Sequence, residues 1–91
     1  MNNREHLKEY NGNLSQLRKI INSFEIIPNA PTNEFDKLNN KILSQLYKEI
    51  DSKKIKNIIE SELVVTYGLF NDEFDSDHIL SQIISWWNAK I

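Results

Sequence analysis

Leu7, Tyr10, Leu14, Leu17, Ile21 and Phe24 recur at steps of three and four, which draws one apolar stripe along a helix. The first predicted element therefore spans residues 7–24. Asn11-Gly12-Asn13 interrupts it, and Asn13 with Gln16 three positions on forms a capping pair, so this triplet marks a place where the helix can break and restart. Pro28 and Pro31 cannot sit inside a helical ladder, which makes Ile27 to Pro31 a connector with Ile26 and Ile27 packing as they leave. Thr32 or Asn33 then caps a second helix, striped by Phe35, Leu38, Ile42, Leu46 and Ile50, with Lys37, Lys41 and Lys48 on its surface.

Asp51-Ser52 supplies a stop and a new cap. A long third helix follows, with Ile55, Ile58, Ile59, Leu63, Tyr67 and Phe70 at helical steps, Val64-Val65 widening the face, and Gly68 as a left-handed stop near the end. Asn71 to Asp75 reads as a loop. Asp75 or Ser76 caps a fourth helix from Asp77 to about Lys90, in which Trp87 falls within the arc of Ile79, Leu80, Ile83 and Ile84 while Trp86 lies at its edge. Four amphipathic helices with short connections predict an all-α, antiparallel four-helix bundle, a single domain over 1–91.

Composition adds limits to that outline. Ninety-one residues suit one small core, and 40% hydrophobic with 26% charged residues is ordinary globular balance. No cysteine is present, so neither a disulfide framework nor a thiolate zinc site is available. No apolar run reaches the ~18 residues of a membrane span, and Met1-Asn-Asn-Arg-Glu-His lacks the apolar core of a signal peptide, which predicts a soluble, cytoplasmic protein. Charge is unevenly distributed. Residues 1–59 carry ten Lys or Arg against seven Asp or Glu (+3), whereas residues 60–91 carry one against six (−5).

The acidic run invites chemical readings, and each meets an obstacle. Asn71, Glu73, Asp75 and Asp77 alternate like calcium ligands, but the EF-hand's sixth and twelfth positions, which need Gly and Glu, hold Ser76 and Gln82. His6 and His78 are the only histidines and have no partners at zinc spacing. No glycine elbow frames a serine and no phosphate cradle exists, since Gly12 and Gly68 are the only glycines. No enzyme, metal site or cofactor is expected. The cations of the middle helices, Lys53, Lys54 and Lys56 among them, include no arginine to read base edges, and the acidic third would repel a nucleic acid. Nor is a membrane expected at Trp86-Trp87, whose helix carries the wrong sign of charge.

Protein recognition remains. Asp75-Ser-Asp-His-Ile-Leu-Ser-Gln-Ile-Ile-Ser-Trp-Trp-Asn-Ala89, with Ile79, Ile83 and Trp86 at steps of four and three, resembles the final helix of the small immunity proteins that neutralise nuclease colicins. In size, polarity and Asn/Lys/Ile-rich style the chain is also similar to immunity proteins of contact-dependent inhibition systems. The likeness to the colicin family covers about fifteen residues and implies an acidic helical protein that binds a basic toxin domain. That family's Tyr-Tyr-Pro segment has no counterpart here, so none of its binding residues is carried over.

Two functions are therefore expected to compete. One is an immunity or inhibitor protein, monomeric, that occludes a basic partner such as a bacterial toxin nuclease. Its binding surface would comprise Glu60, Glu62, Asp72, Glu73, Asp75 and Asp77, with Tyr67, Phe74 and Trp86 as aromatic anchors. The other is a helical adaptor or homodimeric assembly subunit, joined through the first stripe or the Trp86 edge.

Overall fold

A computed structural model describes residues 3–90, with side chains from Leu7 onward, so His6 and the chain start lie outside the described side chains. α1 (Asn3–Ser23) runs without interruption through Asn11-Gly12-Asn13. Asn13 does not cap a restart. Its Nδ2 donates to the Tyr47 hydroxyl at 2.7 Å, so a cross-helix partner holds the amide. α2 (Asp36–Lys48) is likewise not capped by Thr32 or Asn33. Residues 31–36 instead turn through Glu34 N–H to Pro31 O (3.0 Å) and Asp36 N–H to Asn33 O (3.2 Å), which places Phe35 at the helix entrance.

α3 (Ser52–Ser61) starts on Asp51, whose carboxylate accepts the Lys54 N–H at 3.2 Å. It does not continue as one long α-helix. At Glu62–Thr66 the ladder widens into a π-helical turn, with Tyr67 N–H on Glu62 O (3.2 Å) and Leu69 N–H closing on Leu63 O (2.9 Å). Gly68, at φ 70°, is the predicted left-handed stop. A short 3₁₀ turn at Asn71–Glu73 leads to α4 (Ser76–Ala89), capped by Asp75 through the His78 N–H at 3.0 Å.

Cross-helix contacts fix the directions. Arg18, late in α1, grips Asp36 at the start of α2 with two bonds of 2.9 and 2.8 Å, while Tyr10 stacks on Tyr47 at the other end. Phe35, at the entrance to α2, tilts against Tyr67 beyond the end of α3. Ser76, opening α4, donates to Glu60 near the end of α3 at 2.8 Å, and Phe24 meets His78 while Gln16 meets Trp86. Each neighbour therefore runs antiparallel, giving the expected all-α four-helix bundle. Among the described residues no helix is long and apolar enough to cross a membrane.

The core is the predicted set of stripes near their centres: Leu17 and Ile21, Leu38, Ile42 and Leu46, Ile55, Ile59 and Leu63, Ile79 and Ile83, joined by Phe35 and Leu43. Asn39 is fully buried among them with neither side-chain atom hydrogen-bonded, a cost of about 1–3 kcal/mol. The stripes fail at their ends. Leu7 is exposed because α1, at 21 residues, outruns its 13- and 14-residue neighbours α2 and α4. Ile50, Val64, Val65 and Phe70 also face solvent, because α2 has ended before the first and the π turn and Gly68 rotate the others off the α3 stripe. Trp87 is not central; it is half-buried, as Trp86 is.

Candidate docking surface

The predicted carboxylates do not act as one patch. Glu62 is 5% exposed, and its Oε2 accepts the Thr66 hydroxyl at 2.7 Å while Oε1 lies 3.1 Å from the Lys41 ammonium. The Thr66 bond and then Lys41 hold this carboxyl below the usual glutamate range, against the opposing effect of burial. Glu62 is thus a structural group, and its place in an exposed binding surface is corrected. Sequence pattern alone could have flagged it, because Glu62 lies three residues after Ile59 and one before Leu63, within the buried arc of the helix. Glu60 is half-buried and holds Ser76.

Beyond Gly68 the carboxylates come to the surface. Glu73 accepts the Phe70 N–H at 3.0 Å and returns its own N–H to the Phe70 carbonyl at 3.0 Å, closing the 3₁₀ turn from both sides. Asp75 caps α4, and Asp77 pairs with Lys56 at 2.8 Å, which raises the lysine's pKa chiefly through that hydrogen bond. Asp72 has no polar partner among the described residues. The four nevertheless remain exposed, and no Lys or Arg lies between residue 60 and residue 89 to offset them.

The aromatic anchors are rearranged. Tyr67 is half-buried against Phe35, ring centroids 4.9 Å apart, and donates its hydroxyl to Glu34 O at 2.9 Å; burial, then the Glu34 charge, raises its pKa. Phe74 packs on the core. Trp86 bonds Gln16 through Nε1 at 2.8 Å and lies beneath Lys90, at the end of an aromatic row running through Trp87 and Tyr47 to Tyr10. All three are thus half-buried and engaged by the bundle itself. The exposed ring is Phe70, at 73%, which the helical stripe assigned to the core. A signal was available, since Gly68 ends the helix before Phe70 and releases it from the stripe.

Glu73, Asp75 and Asp77 each turn to a different backbone or cationic partner, and among the described residues no three acidic or histidine side chains gather around a metal-sized space. A recess of about 360 Å³ under the first connector is lined by Asn22, Glu25, Ile27, Asn29, Thr32 and Phe35. A second groove, about 420 Å³, runs between α2 and α3 past Lys41, Ser44, Gln45, Lys48 and Ile58. Comparison with known proteins finds no matching family model, curated protein or solved structure.

Proposed function

We propose that the chain is a non-catalytic inhibitor of the immunity type, which binds a basic protein partner through its acidic C-terminal third and blocks it sterically. The observation that carries this reading is the exposed run Asp72, Glu73, Asp75 and Asp77, in which, among the described residues, Lys56 alone pairs with a carboxylate, that of Asp77. Such a run repels nucleic acid and anionic membrane, and steers a cationic protein into contact. A bacterial toxin nuclease is the partner that fits best, because a domain that grips phosphate backbones presents cations of its own.

The test is a titration against the polypeptide encoded beside this one. Binding that weakens steeply between low and moderate salt, together with protection of cells expressing that polypeptide, is the expected result. No interaction, or one indifferent to salt, removes the proposal. The assembly-subunit reading draws on the uncovered start of the α1 stripe at Leu7 beside the Tyr10–Tyr47 stack. Sedimentation separates the two: a concentration-independent monomer favours the inhibitor, and a tight dimer the assembly protein.

A further inference from the structure

We infer that Phe70, supported by Val65, is the anchor of that acidic surface, and that it fits a basic protein offering an apolar socket between lysine or arginine side chains. This inference rests on the acidic-surface reading and specifies what the partner must look like. Val65 is 79% exposed and Phe70 73%, and both flank the single turn at Gly68. Leu69 N–H closes on Leu63 O at 2.9 Å, so the chain turns back over the end of the π turn immediately before Phe70, five residues after Val65.

The ring is exposed, but the backbone that carries it is held. Phe70 donates its N–H to the Glu73 carboxylate and accepts the Glu73 N–H in return, each at 3.0 Å, while half-buried Leu69 and Phe74 tie down the chain before and after it. A loop already ordered in this way loses little further freedom on binding, and an aromatic ring in the middle of an interface is a frequent source of binding energy. Loosely tethered apolar residues would lack that advantage.

Charge chooses the occupant. Asp72 follows Phe70 by two residues and Glu73 by three, and among the described residues the only cation paired within the run is Lys56 at Asp77. An apolar ring inside an acidic rim complements a pocket inside a basic rim, and the face of Phe70 itself attracts a guanidinium or ammonium group. An anionic lipid or a nucleic acid would meet the wrong sign.

Amide chemical-shift mapping on the full chain tests this with two short peptides of equal positive charge, one alternating lysine with leucine and the other lysine with serine. Both should shift the amides around Asp72 and Asp77 at low salt. The lysine–leucine peptide should bind roughly tenfold more tightly and should also shift Val65 and Phe70. Phe70→Ala should leave the thermal melt in place and bring the lysine–leucine affinity down to that of the lysine–serine peptide, with Val65→Ser giving a partial loss. Equal affinities for the two peptides, or a preference that survives Phe70→Ala, would overturn the anchor while leaving the acidic surface standing. A Phe70→Ala chain that melts early overturns it as well, by making the ring structural. If neither peptide moves residues 72–77, the acidic-surface reading falls and the anchor with it. Shifts at Phe70 that grow with protein concentration alone assign the ring to a second copy and likewise overturn the inference.

Discussion

The connector of residues 24–35 ends on Phe35, which is 2% exposed, whereas the connector of residues 67–75 carries Phe70 largely exposed. The first connector turns through two non-glycine residues in left-handed geometry, Glu25 (φ 51°) and Asn29 (φ 62°); the second turns through Gly68 (φ 70°). The strained turns are accompanied by burial, since Phe35 closes the core and Arg18 clamps Asp36 directly after it. The unstrained one leaves its aromatic ring in solvent, on a backbone whose N–H at Phe70 is held by the Glu73 carboxylate. Between these two connectors, the one with left-handed non-glycine residues leads into the core, and the one that turns on glycine leaves its phenylalanine uncovered.

The largest effect that tests this contrast comes from the two rings themselves. Phe35→Ala empties a fully packed site and should destabilise the fold by about 3–5 kcal/mol, whereas Phe70→Ala should stay within about 0.5 kcal/mol. Denaturant melts of the two variants read it directly, and comparable losses would break the comparison.

Glu62, which opens the π turn before the second connector, gives the next effect. Its folded pKa is depressed by Thr66 and Lys41, so its contribution is fully present above its unfolded pKa of about 4.3 and is lost as pH falls through the lower folded value. Glu62→Gln keeps the Thr66 bond in reach but gives up the Lys41 charge. Because Lys41 is half in solvent, a loss of about 1 kcal/mol at neutral pH is expected. Below pH 4.3 the wild-type chain should lose stability faster than the variant, and parallel acid melts would dissociate Glu62 from the turn.

The two glycines sharpen the contrast further, with opposite signs. Gly68→Ala forces a side chain into left-handed geometry and should cost about 1 kcal/mol, while Gly12→Ala meets open space inside a continuous helix and should add about 0.5–1 kcal/mol. Thermal melts of both suffice. A destabilising Gly12→Ala would revive the break at Asn11-Gly12-Asn13.

What the sequence made legible follows from periodicity. Stripe residues near helix centres, such as Ile42, Ile59 and Ile83, are buried as their spacing requires, because a 3.6-residue repeat defines a face only while the helix and its neighbours both continue. Leu7, Ile50 and Phe70 obey the same spacing beyond that limit and are exposed. The carboxylates were harder to sort. Asp75 has a cap's local signature, but Glu62 and Lys41 are twenty-one positions apart, and Asp77 and Lys56 likewise; these pairings depend on how helices meet, which no single-helix pattern contains. For the same reason the anchors predicted at Tyr67 and Trp86 lie within contacts of the bundle, with Glu34 and Gln16 respectively, and Phe74 packs on the core.

Asp72 gives the smallest change in stability and the cleanest probe of the acidic surface. Glu73 closes the turn under Phe70, Asp75 caps α4 and Asp77 holds Lys56, so altering any of them mixes recognition with structure. Asp72 is exposed and bonded to none of these groups, and removing its charge relieves repulsion within the run. Asp72→Asn should therefore leave the melt within about 0.5 kcal/mol of wild type or raise it slightly. Encounter with a cation depends on the summed field, however, and that field loses one of its least screened charges. Stopped-flow mixing with the lysine–leucine peptide should show association slowed by roughly two- to threefold at low salt, a shallower salt dependence, and dissociation nearly unchanged, since a rim charge acts on approach more than on the seated ring. Association as fast as wild type at low salt would place the encounter away from the Phe70 turn, and slowed dissociation would make Asp72 part of the seat itself.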